Sequence, residues 1–306
     1  MMFRQTTLKC TSRKSALFAF LVTMMASIFS HAEAATSDSA KSFTVEVQGS
    51  GSPVILIPGL MSDSRVWQHT AAALRQTHQL HLISIAGFAG QPAIEGPLLP
   101  VVKTELLAYI QAKQLQRPAI IGHSLGAFLA YDMASTAPDK IGKIIAVDGL
   151  PFLAPVFTRD PNSSVASVKP QAEGIRHFYA QMPPAQLAAA MQQGMEIQAR
   201  EPATRERVQH MGALSDPKAV GQAIYELLST DLRDNVANIT QPVLQLGAGG
   251  ALPSETMRPA VEALYQQQIN KIPQATLVFN WQSRHFMMWD EPEWLLNQIN
   301  QFLAEK

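Results

Sequence analysis

Cysteine is almost missing from this sequence, with a single copy at Cys10 among 306 residues. From residue 11 onward there is none, which excludes disulfides, a thiol nucleophile and cysteine metal ligands there. A chain of this length can forgo cross-links because it can bury a large core. An excess of charge of either sign is also missing, since 24 Lys and Arg face 24 Asp and Glu. No basic stripe or charge run occurs, so nucleic acid is not an expected partner. There is no His-x-x-x-His pair with a nearby carboxylate, and Gly247-Ala248-Gly249-Gly250 lacks the Lys-Ser/Thr of a phosphate loop. Neither a metal nor a cofactor is therefore expected. Low charge beside 47% hydrophobic residues excludes a disordered chain and suits a folded enzyme.

A hydrophobic run long enough to span a bilayer comfortably is absent too. The uncharged, apolar stretch near the start, Ala16 to Phe29, is short for that purpose. It follows a basic region of Arg4, Lys9, Arg13 and Lys14 and precedes Ala32-Glu33-Ala34, a small-x-small cleavage pattern. Residues 1–34 are thus expected to be a signal peptide, cut after Ala34, with the product exported to the periplasm or beyond. No stable membrane anchor is expected after cleavage. Cys10 precedes the apolar stretch, whereas a lipid-attachment cysteine would follow it. Four basic residues and one acidic residue leave with the signal, so 20 basic and 23 acidic residues remain. The polar stretch 35–42 reads as a flexible leader.

What is present is an alternation of strand and helix patterns. Phe43 to Val47 alternates like a half-exposed edge strand, while Val54-Ile55-Leu56-Ile57 is continuous, like a strand buried on both faces. A helix is predicted over 63–76, a strand over Leu80 to Ile85, and a helix over Lys103 to Gln114. Residues 118–126 then read Pro-Ala-Ile-Ile-Gly-His-Ser-Leu-Gly, an apolar strand entering Gly-x-Ser-x-Gly, and Ala127 to Ala137 follows as a helix. That order is what a nucleophile elbow requires: a tight turn lifts the serine above the sheet, and the glycines let neighbouring backbone pass. The next strand is Lys143 to Val147. From Pro151 to about Asn238 there are only helical stretches, interrupted by prolines. Alternation resumes with Pro242 to Leu246, Glu255 to Asn270, Ala275 to Phe279 and a last helix over Glu293 to Leu303. Asp290 and Glu293 suggest a capping box at the start of that helix.

Such alternation implies a mostly parallel sheet with helices on both faces. With Gly122 to Gly126, Pro58-Gly59-Leu60 after a buried strand and His285 near the end, the chain resembles the α/β-hydrolase superfamily over roughly residues 43–304. More narrowly, it resembles the single-domain members with a helical cap. The resemblance implies an α/β fold with a core at 43–150 and 239–306, and a helical cap inserted at 151–238.

Ser124 is the candidate nucleophile, and a serine hydroxyl needs a neighbouring base. Of the seven histidines outside the signal, His285 follows the last predicted strand, where the superfamily puts its base. His123 is expected to pack beside the elbow, and His69, His78 and His81 to be solvated or capping. His177 and His210 lie in the cap and are expected at its surface. The base needs an acid. Superfamily members most often carry it after the penultimate strand, but here that segment, from Gln245 to Pro253, has no carboxylate before Glu255. A different subset carries it one strand earlier, where this chain has Asp148. Asp148 is therefore the first candidate and Glu255 the alternative.

An oxyanion needs two backbone N–H donors. Leu125 and Leu60 are the candidates, with Met61 the neighbouring choice. The superfamily commonly has His-Gly where this chain has Pro58-Gly59. In the cap, Met182, Met191, Met195 and Met211, with Phe152, Phe157, Phe178 and Tyr179, suit an apolar group over the serine. They equally suit packing between cap helices. The stretch from Gly149 to Pro155 is expected to form one pocket wall. The reading is an exported serine hydrolase that cleaves a small or medium apolar carboxylic ester through Ser124, His285 and Asp148. Thioesterase, lactonase, C–C hydrolase and acyltransferase chemistry fit the same residues. A non-catalytic binding protein that keeps the fold is the alternative of another class.

Overall fold

Apolar runs flanked by turn residues become the strands of one seven-stranded sheet in the computed structural model, which describes residues 42–305. The signal peptide and all of the leader but Ser42 lie outside the described residues. Ser42 itself is buried and donates from both its N–H and Oγ to Glu105.

Strand β1 (Phe43–Gln48) is the edge its alternation predicts, and it runs antiparallel to β3. The sheet continues through β2 (Ser52–Ile57), β3 (His78–Ile85), β4 (Ala119–His123), β5 (Ile144–Val147), β6 (Val243–Ala248) and β7 (Ala275–Asn280). Their spatial order is β1-β3-β2-β4-β5-β6-β7, and every pair after the first is parallel. The chain leaves β2 toward β3 on one side and returns to β4 on the other, so the order reverses between β2 and β4. Open parallel sheets bind ligands above such a crevice, at the carboxyl ends of the strands.

Helix α1 (Gln68–Leu74) connects β2 to β3, and α2 (Leu99–Ala112) connects β3 to β4. Helix α3 (Leu125–Thr136) follows β4 directly. Between β5 and β6 the described chain forms helices and no strand: α4 (Ala154–Thr158), α5 (Val165–Ala180), α6 (Leu187–Met191), α7 (Met195–Gln198), α8 (Pro202–Ala213) and α9 (Pro217–Ser229). Helix α10 (Arg258–Ile269) lies between β6 and β7, and α11 (Met287–Asp290) and α12 (Pro292–Ala304) close the chain.

The sheet separates two apolar layers. Ile55, Ile57, Ile83, Ile120 and Ile144 face one layer with α2 and α3, whereas Val54, Leu56, Ile121, Ile145 and Leu246 face the other with α1 and α12. Strict period-two alternation of these buried residues explains why the strands read as unbroken hydrophobic runs.

Candidate active site

The elbow is set by close backbone approach. A Cβ on Gly122 would overlap the Gly126 carbonyl, and one on Gly126 would overlap the Ile57 carbonyl and sit 2.7 Å from that of Pro58. With only hydrogens there, β4 turns at once into α3. Ser124, at the turn, holds φ +53°, a left-handed conformation costly for a residue with a Cβ. Its N–H donates to Val147 O at 2.9 Å, and its hydroxyl does not cap the helix. Leu125 opens α3, so its N–H has no intrahelical acceptor. Leu60 follows β2 across the crevice and lines the same cavity as Ser124. Among the described residues, neither N–H has a hydrogen-bond partner. The next residue, Met61, is also left-handed, at φ +58°.

Asp148 stands directly after β5, again with positive φ, at +48°. Its side chain is 9% exposed, a costly place for a carboxylate without partners. It has three. Oδ1 accepts from the Ala248 N–H at 2.9 Å and the Tyr265 hydroxyl at 2.8 Å, and Oδ2 lies 2.6 Å from His285 Nδ1. Burial, with the Asp148 charge beside it, raises the Tyr265 pKa well above its ordinary value and keeps it a donor. Tyr265, on α10, escaped the sequence reading; its only trace there is an aromatic on the inward face of a helix.

His285 lies in the loop after β7. Its ring directs Nδ1 to Asp148, and His285 lines one cavity with Ser124. Three bonds fix its backbone: its N–H to Ile197 O at 3.3 Å, the Phe286 N–H to Gln198 O at 2.8 Å, and His123 Nε2–H to His285 O at 3.0 Å. His123 is fully buried, with its ring centroid 4.6 Å from that of His285. Burial, and then the neighbouring His285, lower the His123 pKa well below 6.5, so it stays neutral. That neutrality matters, because a second cation there would oppose any positive charge on His285.

Glu255 is remote from this arrangement in its bonding. Its side chain is 80% exposed and pairs with Arg258 at 2.6 Å. Four sequence expectations need correction. Asp290 does not cap α12; its buried carboxylate accepts from Arg200 N–H, at 3.0 and 3.1 Å, and from Arg284 N–H at 2.8 Å. The Gly149–Pro155 stretch is not a wall of the cavity. Phe152 and Ala154 instead pack into a separate apolar cluster with Val168, Ala172 and Leu228, which roots α5 and α9. His81 is buried rather than solvated, its Nδ1 2.8 Å from the Tyr109 hydroxyl. Of the cap methionines and aromatics, only Met191 and Met195 line the cavity, while Phe157 and Phe178 are exposed.

The cavity measures about 270 Å³. Beside Ser124, His123 and His285, its walls are Leu60, Met61 and Phe286 from the sheet edge and Met191, Met195, Gln198 and Val208 from the helical segment. No Asp, Glu, Lys or Arg lines it. Among the described residues, no three His, Cys, Asp or Glu are grouped to hold a metal ion.

Among solved structures, an esterase from Thermogutta terrifontis superposes with a TM-score of 0.69 at 19% identity, covering 85% of this chain and 92% of that one. An enol-lactonase from Burkholderia xenovorans also reaches 0.69, at 17% identity, over 86% and 96%. At such identities the likeness is one of fold. In sequence, the Biotin biosynthesis bifunctional protein BioHC of Cellvibrio japonicus is 28% identical over 259 residues, 81% of this chain and 47% of that protein. The chain therefore spans about half the length of that relative. A pimeloyl-[acyl-carrier protein] methyl ester esterase of Vibrio vulnificus is 22% identical over 269 residues, 85% of this chain and 97% of that one. The model of the Alpha/beta hydrolase family matches residues 54–298, a span that holds the elbow, Asp148 and His285 together. By that match the chain is a hydrolase of the Alpha/beta hydrolase family.

Proposed function

We propose that this hydrolase is a serine esterase, acting on an uncharged carboxylic ester with a small or medium apolar acyl group. His285 Nε2 takes the Ser124 hydroxyl proton as Oγ attacks the ester carbonyl. The oxyanion that forms accepts from the N–H groups of Leu60 and Leu125, beside the positive end of α3. Collapse expels the alcohol, which takes the proton from His285, and leaves the acyl group on Ser124. Water then attacks the acyl-enzyme while His285 again accepts a proton, and the carboxylic acid departs as Ser124 recovers its hydrogen. Asp148 holds the imidazole in the tautomer with hydrogen on Nδ1 and stabilises the imidazolium.

The observation that carries this reading is the 2.6 Å contact between His285 Nδ1 and the buried Asp148 carboxylate, on a histidine that shares one cavity with Ser124. Uncharged walls favour a neutral acyl group, because an unpaired charge there would lose its water without compensation. Relatives named as methyl ester esterases favour a small alcohol as the leaving group. The basic region, apolar stretch and Ala-x-Ala pattern at residues 1–34 favour an exported enzyme.

The test is a fluorophosphonate, with the adduct mapped by mass spectrometry. Labelling on Ser124, abolished in Ser124→Ala together with ester turnover, is the expected outcome. Labelling that survives in Ser124→Ala would overturn the assignment.

A further inference from the structure

At one wall of the cavity two thioethers meet in front of a residue that has no side chain. Met191, the last residue of α6, and Met61, next to the Leu60 N–H, both line the cavity. Gly212 on α8 does not line it. It lies behind Met191: a Cβ added to Gly212 would overlap Met191 Cε, sit 2.7 Å from Met191 Sδ and lie 3.4 Å from Met61 Cε. Val208, one turn earlier on the same face of α8, does reach the cavity. The Met191 thioether thus rests in a notch that exists only because residue 212 has no side chain, and Met191 is itself a lining residue of the cavity.

From this we infer that Met191 is the depth stop for the acyl chain and that Gly212 sets how far the stop retracts. The inference deepens the esterase reading and rests on it, since it takes the cavity beside Ser124 as the acyl site. Methionine suits the task, with three rotatable bonds and a polarizable sulfur that packs against a chain of varying shape. The substrate class that follows is an unbranched aliphatic acyl group. Its reactive end sits at Ser124, and its methyl end meets Met191 and Met61.

The two substitutions move the stop in opposite directions. Met191→Ala removes three heavy atoms beyond Cβ and should admit about three more methylenes, at roughly tenfold or more per methylene in discrimination. Gly212→Ala pushes the Met191 thioether out of its notch and into the cavity, so shorter chains should be preferred. Gly212 is helical and its φ is not positive, so alanine there is favourable to α8 itself and the variant should fold.

The experiment compares kcat/KM for p-nitrophenyl butyrate, hexanoate and octanoate in the parent enzyme and both variants. The octanoate-to-butyrate ratio should rise about tenfold or more in Met191→Ala and fall by a similar factor in Gly212→Ala. Ratios unchanged in both variants, or shifted the same way in both, would overturn the depth stop while leaving the esterase reading intact. A second readout does not depend on ester turnover: inactivation rates with fluorophosphonates of increasing alkyl length should show the same opposite shifts. If the parent protein neither turns over esters nor labels, the esterase reading falls, and the depth stop falls with it.

Discussion

Three residues with side chains hold left-handed backbone at the candidate site: Met61, Ser124 and Asp148. Each such conformation costs on the order of 1–3 kcal/mol; two of the three residues carry the proposed nucleophile and acid, and Met61 follows the Leu60 N–H. The sequence carried Ser124 through its flanking glycines, but nothing in one-dimensional spacing marks Met61 or Asp148 as strained. Asp148 was legible as a carboxylate ending a buried strand, at the position where a subset of the superfamily carries its acid. Its bonds to Tyr265 and the Ala248 N–H join segments about a hundred residues apart, which local pattern cannot supply. We expect Asp148→Asn to lower ester turnover by about 10⁴, while Glu255→Gln, on an exposed side chain, stays within a factor of about two. Parallel kinetics on the two variants decide the matter; a large loss at Glu255 with a neutral Asp148 would reverse it.

His123 gives a pH prediction at the same scale. Its pKa is lowered in the folded state, so the unfolded chain binds more protons below the ordinary histidine value of 6.5. Stability therefore falls as pH drops through that value. The fall in melting temperature between about pH 7.5 and pH 5 should be smaller in His123→Gln, which keeps an N–H donor and does not titrate. An identical slope in both proteins would show that His123 does not contribute.

At the scale of elements, the helical segment is tied to the His285 loop. The His285 and Phe286 N–H groups donate to the Ile197 and Gln198 carbonyls, Arg284 reaches the carbonyls of Glu196 and Ala199, and the buried Asp290 carboxylate collects N–H groups from both strips. The sequence reading took Asp290 for a helix cap because caps are local and frequent, whereas its real partner Arg200 is 90 residues away. Asp290→Asn keeps the shape but turns an amide hydrogen toward N–H donors. It should cost about 1–3 kcal/mol, read as a lower melting temperature. Faster hydrogen exchange should accompany it at 197–200 and 284–286. Exchange raised only elsewhere would sink the assignment.

For the whole molecule, the sheet was the most legible part. Its central strands are buried on both faces, so hydrophobic runs marked them, with ends off by a few residues. The edge strand β1 announced itself by alternation, but not its antiparallel direction, which depends on pairing with β3. Burial is uneven: the sheet joins two large apolar layers, while the cluster that roots α5 and α9 has few buried members. Local opening follows such differences. On heating, amide hydrogens of α5 and α9 should exchange before those of the central strands. Simultaneous exchange of both sets would contradict this order.

The ties between residues 196–200 and 284–290 also bear on inheritance. Crossovers that exchanged only the segment between β5 and β6 would leave the Asp290 carboxylate and the Phe286 N–H facing foreign backbone. The insertion is thus not a free module: a recombinant keeps its base loop in register only by taking both strips from one parent. Substrate range in this lineage can then change readily by single steps at positions such as Met191 and Gly212, and only with difficulty by trading the whole insertion.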